Sequence, residues 1–123
     1  MGIKKYFFDS YAIIEITKGN PNYAPFIQEE VAITIFNLAE IYYSALNYAS
    51  EETAEKICNK YKNNSIEIND EILKEAMKFR KNNKKKNLSY ADCIGYICSI
   101  KNNLIFLTGD KEFQTMENVE LIK

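Results

Sequence analysis

The feature that most constrains the fold is the alternation of short apolar segments with longer segments of helical periodicity. The apolar segments predict strands over residues 4–8, 31–34, 65–68, 104–107 and 119–122. The periodic segments predict helices over 10–18, 36–49, 50–61 and 89–100, another that begins with Asp70 as its cap, and shorter helical turns near 23–28 and 109–116. Because the connections are long enough to cross over a sheet, the pattern predicts an α/β fold with a mainly parallel sheet.

The length and the apolar content point to one domain without a membrane span. The chain has 123 residues, and no repeat or linker divides them, so we expect a single domain over residues 1–123. No apolar run reaches 18 residues, and Asp9 interrupts the first one, which disfavours both a membrane helix and a signal peptide. The three cysteines form no Cys-x-x-Cys pair and are typical of core residues in a reducing compartment. We therefore expect a cytoplasmic protein.

The charged composition narrows the possible chemistry. The chain contains no histidine, which excludes zinc sites of the usual kind, Ser-His-Asp triads and histidine general bases. The formal net charge is −1, so a nucleic-acid site would have to be a local basic patch.

The positions of the aspartates are the strongest functional signal. Only four of the 17 acidic residues are Asp. Asp70 has a simple role as a helix cap, whereas Asp9 ends the first strand, Asp110 follows the strand over 104–107, and Asp92 lies in the first turn of the apolar helix over 89–100. Sites in open parallel sheets form at the carboxyl ends of the strands, so these three carboxylates can converge in one crevice.

A fourth acid, Glu40, lies in the helix that follows the second strand. Four carboxylates in one cleft repel each other and resist desolvation, and a divalent cation removes that conflict. Oxygen ligands without histidine favour Mg²⁺ or Mn²⁺. Such an ion can position a water to attack a phosphodiester and can stabilise the leaving oxygen.

Helix capping is the alternative explanation of the same acids. Ser89 and Asp92 match a capping box, and Asn37 and Glu40 loosely resemble one. Asp9 and Asp110 could each cap the helical segment that follows it. All four acids are expected at the same end of the same sheet, so we favour a shared site over four separate caps.

The segments that carry these acids resemble the four motifs of PIN domains, and most closely those of the toxin nucleases of the VapBC type. The similar segments are Phe8-Asp9-Ser10, Leu38-Ala39-Glu40-Ile41-Tyr42-Tyr43, Leu88-Ser89-Tyr90-Ala91-Asp92 and Leu107-Thr108-Gly109-Asp110-Lys111-Glu112-Phe113. The four segments occur in the order of the family motifs, and the resemblance covers essentially the whole chain. The resemblance departs most after Asp92, where Cys93-Ile94-Gly95-Tyr96 replaces the small aliphatic residues that are frequent in the family.

The resemblance implies a three-layer α/β/α fold and an Mg²⁺- or Mn²⁺-dependent endoribonuclease, the toxin of a type II toxin–antitoxin system. It also implies a homodimer and a small antitoxin that blocks the site. By this resemblance Asp9, Glu40, Asp92 and Asp110 would be the catalytic, metal-binding acids. Ser10 and Thr108 would be polar neighbours that hydrogen-bond a carboxylate or a metal-bound water.

A lysine-rich loop precedes Asp92. It contains Lys84, Lys85 and Lys86, which could bind RNA phosphates or could simply be solvated. Point-charge lysine contacts with phosphate carry little sequence information.

Two other functions fit the sequence less well. A phosphatase of the haloacid dehalogenase type requires a second aspartate two residues after the nucleophile, and Tyr11 stands there. A receiver-like domain requires an acidic pair at the end of the first strand, where only Asp9 is present. The remaining alternative is a non-catalytic RNA-binding or scaffold domain of the same fold.

Overall fold

The computed structural model describes residues 5–123, which form four strands and five α-helices, with four of the helices between the second and the third strand. The strands are β1 (Tyr6–Phe8), β2 (Val31–Ala32), β3 (Ile105–Thr108) and β4 (Val119–Leu121). The helices are α1 (Ser10–Thr17), α2 (Ile35–Tyr48), α3 (Glu51–Tyr61), α4 (Asp70–Asn82) and α5 (Tyr90–Lys101). Short 3₁₀ turns occupy Pro21–Phe26, Lys62–Asn64 and Lys111–Phe113. The predicted start of the first strand, at residue 4, lies outside the described residues.

The strands form one parallel sheet in the order β2-β1-β3-β4. The strand that follows β1 in the chain, β2, pairs with one edge of β1. The next strand, β3, pairs with the opposite edge of β1, and β4 then pairs with β3. The order therefore reverses between β1 and β3, where Phe8 pairs with Leu107. In open parallel sheets this switch point leaves a crevice at the carboxyl ends of the strands.

Two apolar cores cover the two faces of the sheet. Phe7 and Phe106 point to one face, where they pack with side chains of α4 and α5. Tyr6, Phe8 and Leu107 point to the other face, where they pack with α1 and α2. The alternation follows from the two-residue period of a strand. The predicted three-layer α/β/α fold with a parallel sheet is thus confirmed.

Helix α5 approaches the sheet at Gly95, in the interior of the helix. A methyl group at this position would lie 2.8 Å from Cε1 of Phe7 and 3.5 Å from Cε1 of Phe106. The glycine weakens the helix slightly, but it allows the backbone to lie against two aromatic rings of the sheet. This packing explains the departure from small aliphatic residues that the sequence shows here.

The predicted strand over 65–68 is wrong. Only Ser65 forms a bridge, with Ile33, and Ile66 donates a backbone hydrogen bond to the Ile33 carbonyl at 2.7 Å. The alternation of Ile66 and Ile68 resembles a strand because both side chains pack against the core beside α4. The segment then leaves the sheet, since Asn69 turns it into a helix.

The cap of α4 also differs from the prediction. Asn69, not Asp70, accepts the hydrogen bond from the backbone N–H of Ile72, at 2.9 Å. Asp70 is the first helical residue and lies 3.7 Å from Nζ of Lys74, exposed to solvent.

All three cysteines are free, and Cys93 and Cys98 are buried, as predicted for core residues. Among residues 5–123, no helix combines the length and the apolar character needed to cross a membrane.

Candidate functional site

Asp9 is the most buried of the candidate acids, with 1% of its surface exposed. It caps α1, so its Oδ1 accepts a hydrogen bond from the backbone N–H of Ala12 at 2.7 Å. Its Oδ2 accepts a hydrogen bond from the hydroxyl of Thr108. Burial is the main cause that raises the pKa of Asp9 to about 7. The charges of Asp92 and Asp110 raise the same pKa, and the two hydrogen bonds oppose the rise.

Thr108 links Asp9 to the next acid along the edge of the sheet. Its buried hydroxyl donates to Asp9 and accepts a hydrogen bond from the backbone N–H of Asp110 at 2.9 Å. Asp110 caps the 3₁₀ turn, because its Oδ1 accepts from the backbone N–H of Glu112 at 2.9 Å. The cap uses one carboxylate oxygen and leaves Oδ2 of Asp110 available.

Glu40 is held by a chain of buried polar side chains. The hydroxyl of Ser10 donates to Oε1 of Glu40 at 2.5 Å, and Nδ2 of Asn37 donates to Oγ of Ser10 at 3.0 Å. Oδ1 of Asn37 accepts from the hydroxyl of Thr34 at 2.7 Å and from its backbone N–H at 3.0 Å. The capping box of α2 is therefore formed by Thr34 and Asn37. The suggested box of Asn37 with Glu40 is wrong, and the Glu40 carboxylate has no capping role.

Asp92 lies in the first turn of α5 and forms the predicted capping box with Ser89. Its Oδ2 accepts from the backbone N–H of Ser89 at 2.8 Å, and Oγ of Ser89 accepts from the backbone N–H of Asp92 at 3.0 Å. Burial raises the pKa of Asp92, the hydrogen bonds from Ser89 lower it, and the charges of Glu40 and Asp110 raise it.

The capping role and the shared site are thus compatible. Asp9, Asp92 and Asp110 each serve as caps. The charges of Asp92 and Asp110 nevertheless raise the pKa of Asp9, and the charges of Glu40 and Asp110 raise the pKa of Asp92. Capping fixes one oxygen of each aspartate and so orients the carboxylate. Asp70, the remaining aspartate, is exposed and affects neither Asp9 nor Asp92.

The fit of a divalent cation rests on the donor chemistry. In residues 5–123, no group of three or more His, Cys, Asp or Glu side chains is arranged so that it could hold a metal ion. Mg²⁺, however, usually keeps several waters and is bound by only one or two carboxylates, so a larger ready-made cluster is not required. The donors are all oxygens, and burial first and the neighbouring charges second disfavour ionised Asp9, so the site fits a hydrated Mg²⁺ or Mn²⁺.

A buried hydroxyl at this edge was missed by sequence reasoning. Tyr23 is 2% exposed, and its hydroxyl has no hydrogen-bond partner among the described residues. Burial first, and then the charge of Asp9, raise its pKa above the ordinary value. A methyl group at Gly109 would collide with this hydroxyl and with the Tyr11 ring. The glycine beside Asp110 is a local signal of close packing, whereas nothing near Tyr23 in the sequence indicates its position.

The lysine loop leads directly into this edge. The loop joins α4 to the N-cap Ser89, so it lies at the same end of α5 as Asp92. Lys84 and Lys85 are exposed, and Lys86 is half-buried. Their role in binding RNA stays a prediction.

The model of the PIN domain family matches residues 6–119. The chain belongs to the PIN domain family. No curated protein matches the sequence significantly.

Two solved structures share the fold of this PIN domain. One is a toxin–antitoxin complex from Klebsiella pneumoniae, with a TM-score of 0.78, 20% identity, and coverage of 97% of this chain and 98% of the other. The second is VapBC2 from Rickettsia felis bound to a DNA fragment from its promoter. Its TM-score is 0.71 at 16% identity, over 96% of this chain and 98% of the other. At these identities the likeness concerns the fold.

Proposed function

We propose that this PIN domain is an Mg²⁺- or Mn²⁺-dependent endoribonuclease and the toxin of a type II toxin–antitoxin system. The observation that carries the proposal is the buried Asp9 carboxylate, which lies at the switch point of the sheet under the influence of Asp92 and Asp110. Burying an ionised carboxylate is unfavourable unless a counter-charge accompanies it. A cation bound between these acids would supply that counter-charge.

Asp9, Glu40, Asp92 and Asp110 would hold the cation, directly or through its waters. A bound Mg²⁺ would supply a positioned water for attack on the phosphorus and would stabilise the leaving oxygen as the P–O bond breaks. Thr108 and Ser10 keep Asp9 and Glu40 in place through their hydrogen bonds. Because both oxygens of Asp9 already accept hydrogen bonds, this carboxylate is held in one orientation before the cation arrives.

The partner that we propose is an antitoxin, and the apolar face of α2 is its docking surface. Exposed apolar side chains follow this helix, with Ile35 59% exposed and Tyr43 67% exposed. With Leu46 and Cys58 they border an open groove of about 450 Å³. Contiguous exposed apolar surface of this kind marks protein interfaces. The similar structure from Klebsiella pneumoniae is described as a toxin–antitoxin complex, which supports this occupant. A homodimer is part of the proposal.

The decisive experiment compares two aspartate variants. Asp92→Asn should abolish Mn²⁺-dependent cleavage of single-stranded RNA, because it removes a charge from the site. Asp70→Asn should cleave as the wild type does, because Asp70 is an exposed helix residue away from the site.

Mn²⁺ binding is measured in parallel by thermal unfolding. A cation that binds only the folded state raises the melting temperature by mass action. The wild type and Asp70→Asn should respond equally, and Asp92→Asn should respond less. Absence of both cleavage and Mn²⁺ stabilisation in the wild type would refute the nuclease and favour the non-catalytic domain.

A further inference from the structure

The first residue of α5 carries an exposed aromatic ring beside the proposed active site. Tyr90 is 60% exposed. The guanidinium carbon of Arg80, in the last turn of α4, lies 4.2 Å from the centre of the ring. This distance places the cation over one face of the ring. With that face covered, the large exposed fraction of Tyr90 belongs to the other face and the edge of the ring.

Arg80 is the only arginine in the chain. Its Nε is buried and has no hydrogen-bond partner among the described residues. Buried donors are usually hydrogen-bonded, so the contact of this guanidinium with the Tyr90 ring is not supplemented by a hydrogen bond from Nε.

The position of this pair relates it to the acids. Tyr90 is two residues before Asp92 in the same helical turn, and the lysine loop connects Arg80 to Tyr90. Helix α5 ends just before β3 begins, so its first turn lies toward the carboxyl end of that strand, and the charge of Asp110 acts on Asp92 there. The pair therefore lies at the same end of α5 as Asp92 but on a different side of the helix, because helix residues two apart do not face each other. An RNA strand that extends past the acids around this end of the helix would pass the ring.

We propose that Tyr90, supported by Arg80, is a stacking site for one unpaired base of the RNA substrate, a proposal that rests on the nuclease function above. Aromatic side chains and arginine planes are the usual platforms for unpaired bases. The lysines of the loop attract phosphates without selecting single strands. A stacked base adds that selection, because bases within a duplex are not available to the ring.

A second exposed tyrosine provides a matched control within the same chain. Nζ of Lys18 lies 4.9 Å from the centre of the Tyr48 ring, and Tyr48 is 40% exposed. This pair joins the ends of α1 and α2, so it lies at the opposite edge of the sheet from the acids. The Lys18–Tyr48 pair has the same type of cation–ring contact as the Arg80–Tyr90 pair. It lies at the C-terminal ends of its two helices, whereas Asp9 and Glu40 lie in or before the earlier turns of these helices.

The test measures binding of a fluorescently labelled single-stranded RNA and of the duplex with the same sequence, in EDTA so that no cleavage occurs. Tyr90→Ala should weaken binding of the single strand by about 5- to 150-fold, the effect of one lost stacked base. It should leave duplex binding and the salt dependence unchanged, because no charge is lost. Tyr90→Phe should bind both RNAs as the wild type does, and Tyr48→Ala should also be unchanged.

Three outcomes would overturn the stacking site: wild-type binding of the single strand by Tyr90→Ala, an equal loss of duplex binding, or the same loss in Tyr48→Ala. Thermal unfolding of each variant establishes that it is folded. If the alanine variant does not fold, Tyr90→Leu takes its place: it keeps apolar volume but has no aromatic face, so it should lose single-strand binding selectively, and wild-type binding by it would overturn the stacking site. The nuclease proposal is judged separately by wild-type cleavage with Mn²⁺. Selective loss of single-strand binding without any cleavage would identify a stacking site in a non-catalytic domain.

Discussion

The charge of Asp9 should destabilise the metal-free protein, and Asp9→Asn should relieve this effect. The folded protein holds the pKa of Asp9 at about 7, compared with an ordinary value of 3.8. Between these two values the folded state keeps a proton that the unfolded state has released. The folded state binds more protons, so the free energy of unfolding must fall as pH rises through this window.

The size of the effect follows from the two pKa values. Each pKa unit corresponds to about 1.4 kcal/mol, so ionised Asp9 costs the folded protein about 4 kcal/mol above neutral pH. Asparagine has no such charge, and its amide oxygen can still cap α1. Rearranging the hydrogen bond with Thr108 costs about 1 kcal/mol. Asp9→Asn should therefore be about 3 kcal/mol more stable than the wild type near pH 8, and about equal to it near pH 4.

Urea unfolding in EDTA, repeated at several pH values for wild type and variant, measures this difference. Asp70→Asn is the control, because an exposed substitution away from the core should change stability by no more than about 0.5 kcal/mol at any pH. Saturating Mn²⁺ near neutral pH should stabilise the wild type more than Asp9→Asn, because the cation offsets the charge that the variant lacks. Asp9→Asn should nevertheless cleave no RNA.

Two results would refute this reasoning. If the stability difference between wild type and Asp9→Asn is the same near pH 4 and pH 8, Asp9 does not titrate with a raised pKa. If Asp9→Asn is the less stable protein near pH 8, the hydrogen bonds of the ionised carboxylate outweigh its burial.

The remaining predictions concern the surroundings of the carboxylates. Gly109→Ala should lower the free energy of unfolding by about 1–3 kcal/mol, since its methyl group collides with Tyr11 and Tyr23, and wild-type stability in urea would contradict this packing. Tyr23→Phe should be at least as stable as the wild type in EDTA, because the lost hydroxyl has no partner among the described residues; a clear loss of stability would reveal one. Replacing Lys84–Lys86 by Gln should flatten the slope of log affinity for single-stranded RNA against log salt by up to roughly two units, and an unchanged slope would place the RNA elsewhere.

The sequence by itself determined the layered fold. Residues 6–8 and 105–107 are apolar on both sides because helices cover both faces of a parallel sheet, and this signal can be read from the sequence without knowing which strands pair. It also determined the Ser89–Asp92 capping box, which depends only on residues three apart. The strand predicted over 65–68 was wrong. The Ile-Glu-Ile alternation there reflects the packing of Ile66 and Ile68 against the core, and the segment does not form a strand of the sheet.

Tertiary structure decided which polar groups meet. Thr108 and Asp9 are 99 residues apart, and the parallel pairing of β1 with β3 brings them together. The link from Glu40 to Ser10 likewise depends on how separate elements pack, as does the Tyr23 hydroxyl, which has no hydrogen-bond partner within residues 5–123. No local pattern encodes such contacts, because the energy of a buried carboxylate depends on everything that excludes water around it. The sequence could thus indicate where the acids gather, and only the folded chain shows how strongly burial acts on Asp9.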